Sequence, residues 1–129
     1  MIELKKYVYN LLTGDSTLQG LVTNIYPSGV DAIESYPAVT IETSSSKTST
    51  YPTKLRIVDL KLSIWSNNNM EEVENIYQRM WELLNYVQAN TPMSDKIFWS
   101  LETNATDSID NDRRIWSKHF FVKFWVTGD

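Results

Sequence analysis

Two stretches of this chain leave few choices of fold. In LRIVDLKLSIWS, Leu55–Ser66, the residues Val58, Leu60, Leu62 and Ile64 alternate with Asp59, Lys61, Ser63 and Trp65. In IWSKHFFVKFWVT, Ile115–Thr127, Phe120, Val122, Phe124 and Val126 alternate with His119, Phe121, Lys123 and Trp125. A period of two marks extended strands, whose side chains point alternately to opposite faces. A strand alone leaves its main-chain groups unpaired, so both runs must join a sheet with one aliphatic face.

That face needs a cover, and one segment supplies it. Residues 70–88 carry Val73, Ile76, Tyr77, Met80, Leu83, Leu84 and Val87 as a stripe at helical spacing. Asn69 is placed to cap this helix, with Glu72 three residues on as capping-box partner. Glu71, Glu72 and Glu74 suit the positive end of the helix dipole, which explains the cluster without acid–base chemistry. Pro92 bars further helix.

The remaining elements are shorter. Ile2, Leu4, Val8, Leu11 and Leu12 mark a first helix, and Thr13-Gly14 ends it, with Gly14 in the left-handed conformation. Asp15 or Ser16 then caps a second helix bearing Leu18, Leu21 and Val22. Residues 38–42 form a strand with Val39 and Ile41 on one face. Residues 96–105 form another, with Ile97, Trp99 and Leu101 on one face and Phe98 on the other. The polar stretches at about 43–54 and 103–114 contain TSSSKTSTYPT and TDSIDNDRR, and read as long exposed hairpin loops. The expected fold is α+β, one domain over residues 1–129. A largely antiparallel four-stranded sheet has the long amphipathic helix packed on one face, beside short N-terminal helices.

Composition excludes several functions. The 129 residues carry a net charge of −4, which argues against a module that grips nucleic acid through phosphates. No cysteine is present, so disulfides, thiolate catalysis and cysteine-based zinc sites are ruled out. The N-terminus has an acid at Glu3 and no long apolar core, unlike a signal peptide, and no run reaches the length of a membrane span.

No constellation of catalytic residues emerges. His119 is the single histidine, and no G-x-S-x-G elbow accompanies it. Asp107, Asp110 and Asp112 crowd one loop, but the glycine and late glutamate of a calcium loop are missing and Arg113 and Arg114 follow. None of the four glycines forms a phosphate cradle. The sequence therefore gives no catalytic, cofactor or metal residues. One feature stands out. Trp65, Phe121 and Trp125, with Phe98, fall on the strand faces opposite the aliphatic ones, among Lys61, Lys123 and His119. Such a patch is either a protein–protein contact or is covered by the N-terminal helices, and both readings stand on sequence alone.

The order of these segments resembles the tail-completion proteins of long-tailed phages, also described as tail terminators or head–tail joining proteins. The residues carrying the resemblance are Leu11-Leu12, Gly14-Asp15, Ile25-Tyr26-Pro27, Tyr36-Pro37-Ala38-Val39-Thr40-Ile41 and Ile64-Trp65-Ser66, within residues 4–88. The resemblance implies a non-enzymatic virion protein, assembled in the host cytoplasm. It would form a ring, commonly a hexamer, that ends the tail tube and joins tail to head. Implied partners are further copies, the tail-tube protein and a head connector or neck protein, with DNA passing through unbound. Contacts would come from the aromatic face (Trp65, Phe98, Phe121, Trp125, Lys61, Lys123) and from the polar loops (Ser45, Lys47, Thr50, Tyr51, Asp110, Asp112, Arg113). A head-side neck adaptor or stopper is the alternative. A small hydrolase using His119, or a nucleic-acid module, is more remote.

Overall fold

The two alternating runs pair with each other at the centre of a sheet. The computed structural model describes residues 2–27, 33–49, 55–85, 89–90 and 96–127. In chain order the elements are α1 (Ile2–Thr13), α2 (Ser16–Gln19), β1 (Asn24–Tyr26), β2 (Ala38–Ser49), β3 (Leu55–Ser66), α3 (Met70–Leu84), β4 (Ala89–Asn90), β5 (Lys96–Asp110) and β6 (Ile115–Thr127). The sheet order is β1-β2-β3-β6-β5-β4. The four long strands are antiparallel, as the sequence implied. Two short strands border them: β1 pairs in parallel with β2, and β4 antiparallel with the start of β5. Three- and two-residue strands carry no readable period, which is why four strands were expected rather than six.

All three helices lie on the aliphatic face. Leu4, Val8 and Leu12 of α1, Leu18 of α2, and Val73, Ile76 and Met80 of α3 join one buried cluster with Val39, Leu62 and Phe124 of the sheet. The N-terminal helices therefore do not cover the aromatic face.

In the polar stretches, residues 43–49 and 103–110 are strands rather than loops. β2 continues to Ser49, opposite Leu55, and β5 continues to Asp110, opposite Ile115. Thr50 and Tyr51 lie outside the described residues. The core-anchored β3 and β6 offer these segments a ladder of partners. Threonine is a good strand former, and where no face is buried the side chains must be polar. Register shifts between Thr43 and Ser45 and between Glu102 and Asn104 interrupt both strands where their sequence turns polar.

The joint between α1 and α2 is a structural clasp. Gly14 N donates to Asn10 O at 2.9 Å. No described glycine has positive φ, so the expected left-handed turn does not form. A Cβ at Gly14 would sit 3.0 Å from Asn10 O, so closeness to the preceding turn is what favours glycine there. Asp15 caps α2, accepting from Leu18 N at 2.8 Å. The same carboxylate takes a two-pronged contact from Arg79 of α3, Nη2 to Oδ1 at 2.6 Å and Nε to Oδ2 at 2.9 Å. The Arg79 hydrogen bonds hold the Asp15 carboxyl below its ordinary range, against the opposing effect of burial.

α3 is fastened to the sheet by polar contacts. Asn69 caps it as expected, accepting from Glu72 N at 2.8 Å. Glu72 does not close a capping box. It accepts instead from the buried Ser66 hydroxyl at 2.5 Å and from the Asn68 amide, tying the helix to the end of β3. Lys118 of β6 is buried beneath α3, 3.1 Å from Glu74, 2.8 Å from Asp107 and 4.6 Å from the centre of the Tyr77 ring. Burial works against its charge, but the two carboxylates outweigh it and raise its pKa. The Tyr77 hydroxyl donates to Glu102 of β5 at 2.5 and 2.7 Å. Burial, and then that neighbouring carboxylate, push the phenol well above its usual range.

Asp15→Ala is expected to destabilise the fold by about 1 kcal/mol through loss of the cap alone, and by more with the Arg79 contact. Asp15→Asn keeps the cap and removes only the ion pair. The folded carboxyl titrates below the unfolded one, so its contribution is present above about pH 4 and is lost as pH falls through the folded value. Urea denaturation should show the difference between the parent and Asp15→Asn vanishing in acid. A difference independent of pH would refute the clasp.

Candidate functional site

The face opposite the helices is the surface that sequence reasoning singled out. Ladder rows cross it from β2 to β5, and their residues alternate with the buried ones. At one end lie Ile57, Trp125 and Trp99, which are direct neighbours across β3, β6 and β5. At the other, Trp65 sits edge-on to His119 with ring centres 5.0 Å apart, and its indole N–H donates to Thr40 Oγ1 at 3.2 Å. Between them, Glu42 lies opposite Lys61 and Asp59 opposite Lys123, with Phe121 beside Lys61. Among the described residues no helix packs here. Trp65, Phe121 and Trp125 are only half-buried, and Trp99 is 39% exposed.

Trp65, Lys61, Phe121, Lys123 and Trp125 thus share one face, as expected. The side chain of Phe98 lies outside the described residues. Trp99 and Leu101 were expected on the aliphatic face with Ile97. A register shift between Ile97 and Trp99 moves them to the open face, opposite Trp125 and Lys123, while Ser100 and Glu102 turn toward the helices. One inserted residue reverses the parity of everything after it. The only available signal was the conflict itself, because strict alternation would have buried polar residues or exposed apolar ones whichever way it was phased.

The polar-tip residues are scattered. Asp110 Oδ1 accepts from Asp112 N at 3.1 Å and Arg113 N at 3.2 Å, closing the β5–β6 turn, and Arg113 Nε lies 3.7 Å from Asp110. These acids shape a turn, with Arg114 at φ 56° ending it. Ser45 and Lys47 lie on β2, at the other end of the sheet, and their side chains fall outside the described residues.

His119 sits between two hydroxyls, with Nδ1 2.8 Å from Ser63 Oγ and Nε2 3.3 Å from Ser117 Oγ. A nucleophilic triad requires one ring nitrogen on an accessible hydroxyl and the other on an acid. Here Ser63 is 1% exposed, and both partners of the ring among the described residues are hydroxyls. The arrangement holds a neutral imidazole in place. A shallow cavity of about 260 Å³ borders it, lined by Tyr36, Trp65, Asp110, Arg113 and Ile115 among others.

The sequence matches no protein-family model and no curated protein. The fold, however, has solved counterparts. A chain of the virion of a native gene transfer agent particle superposes with a TM-score of 0.79 at 14% identity, over 98% of this chain and 96% of that one. The gp17 protein of bacteriophage SPP1 gives a TM-score of 0.51 at 20% identity, over 98% of this chain and 88% of that one. At these identities the likeness is one of fold, and it extends end to end.

Burial, and then Lys61, lower the His119 pKa, with Glu42 opposing. A base titrating lower when folded adds stability that is complete above its unfolded value, about 6.5, and declines as pH falls below it. The parent protein should therefore lose thermal stability between about pH 6.5 and 5 more steeply than His119→Gln. Parallel profiles would mean that the imidazole is freely solvated.

Proposed function

We propose that this chain is a structural protein of a phage-type virion, not an enzyme. It forms a ring, a hexamer in the form the resemblance implies, at the head-proximal end of the tail tube. The ring ends tube polymerisation and joins tail to head. The observation that carries this reading is the end-to-end fold likeness to a chain of a virion particle. It accords with the independent order of Leu11-Leu12, Ile25-Tyr26-Pro27 and Ile64-Trp65-Ser66 along the sequence.

Physical features fit this role. A net charge of −4 suits a ring through which DNA slides, since fixed cations would retain phosphates. A half-wet face of tryptophans and paired charges suits a surface that is solvated before assembly and buried after it. The open face serves as a protein contact within the virion. The β5–β6 turn with Asp110, Asp112 and Arg113 meets a neighbour: the tail-tube protein on one side of the ring, or the connector on the other. Assembly takes place in the host cytoplasm and the product is part of the virion.

Tails made without this protein should be irregular in length and fail to join heads, as seen by electron microscopy. Tails of normal length that join heads would overturn the proposal, as would finding the protein on isolated heads and never on isolated tails. Within the chain, Trp125→Asp should lower head–tail joining at least tenfold while shifting the melting temperature of the free protein by only a few degrees. An equal loss of both would place Trp125 in the folding core.

A further inference from the structure

The sheet has two free edges, and they stand at the same height. Ladder rows run from Asn24 through Ala38, Trp65 and Ser117 to Ser108, and from Tyr26 through Thr40, Ser63 and His119 to Thr106. The outer edge of β1 is unpaired among the described residues. So is the outer edge of residues 103–110 of β5, past Glu102, whose N donates to the Asn85 side chain. All eight residues 103–110 are exposed. A long exposed edge is a template for another strand. We infer that neighbouring copies join through these edges, the 103–110 edge of one copy adding antiparallel to Asn24–Tyr26 of the next.

Three features select this occupant. The first is direction: β5 runs opposite to β1, so a second copy in the same orientation presents an antiparallel edge. The second is parity. Continuing the rows places Asn24 opposite Ser108 of the neighbouring copy, both toward the open face, and Ile25 opposite Asp107, both toward the helices. Ile109 of the neighbour, 52% exposed and on the helix side, then falls opposite Thr23. There the cleft between α1 and β1 offers about 320 Å³, lined by Tyr9, Val22, Thr23 and Ile25 among others. The third is charge, since the 103–110 edge carries Asp107 and Asp110, each about half exposed beside Lys118 and Arg113, while the adjoining cleft of about 300 Å³ is bordered by Lys5 and Lys6. Such a head-to-tail contact uses two different surfaces of the chain, and it closes into a ring when its rotation divides a full turn. The inference rests on the ring proposed above and specifies how its subunits join.

The chain has no cysteine, so an introduced pair has no background. Asn24 and Ser108 lie four strand spacings apart within one copy, about 19 Å, too far for an internal disulfide. The double variant Asn24→Cys, Ser108→Cys, oxidised on tails, should give a ladder of covalent oligomers ending at the ring size, and neither single variant should give more than dimers. Rings visible by microscopy without that ladder would overturn the edge contact and leave the ring intact. Absence of rings on tails would overturn both. Ile109→Lys provides a second test, with ring formation expected to fall at least tenfold at an unchanged melting temperature. Undiminished rings would overturn the edge contact.

Discussion

The strands are longer than the helix that covers them. β3 has 12 residues and spans about 40 Å, while α3 has 15 and spans about 22 Å. A sheet can bury its aliphatic face only as far as its cover reaches. Beneath α3 the strands therefore carry Leu60, Leu62, Val122 and Phe124, all fully buried. To the side of that footprint, at the edge of the sheet, β5 continues through residues 103–110, all exposed, although Ala105 and Asp107 share rows with the buried Leu62 and Ile64. The abrupt change from apolar to polar sequence in Lys96–Asp110 is a boundary of cover, not of secondary structure. Lys118 stands at this boundary, a cation under the rim of α3 that is tolerable because Glu74 and Asp107 meet it from the helix and from the extended strand.

The same limit shapes the other side. With three helices on one face and none among the described residues on the other, the open face must tolerate water and still hold its side chains in order. It does so with hydroxyls. Ser63 and Ser117 bracket His119, and Thr40 receives the Trp65 indole, so these polar atoms have partners without needing a second layer. The aromatic rings stay half-buried against their neighbours in adjacent strands. A face organised in this way is stable alone yet gains from being covered.

The sequence was legible where burial imposes a period. The alternation in Leu55–Ser66 and Ile115–Thr127 and the stripe in Met70–Leu84 placed the two central strands and the long helix, because each buries one side of a regular repeat. The polar extension over residues 103–110 escaped because a strand solvated on both faces has no period to read, and in residues 43–49 serine and threonine serve loops equally well. Trp99 and Leu101 escaped for a different reason. A bulge is a local main-chain event between Ile97 and Trp99, and alternation holds on either side of it with opposite phase. Contacts such as Asp15 with Arg79, 64 positions apart in sequence, have no local signature at all.

That bulge also gives the open face its character. Without it, Trp99 would lie against the helices. With it, Ile57, Trp125 and Trp99 form one apolar row, and Trp65 with His119 forms a second aromatic centre several rows away. Between them stand Glu42, Lys61, Asp59 and Lys123, two charges of each sign. A purely apolar face of this size would associate with any apolar surface. In the middle rows Glu42 stands opposite Lys61 and Asp59 opposite Lys123, so a partner that covers this face must leave those opposite charges matched, because burying a charge with its match displaced costs several kcal/mol. The aromatic rows supply affinity and the charged rows between them supply selection, so the pattern favours one defined contact over general stickiness.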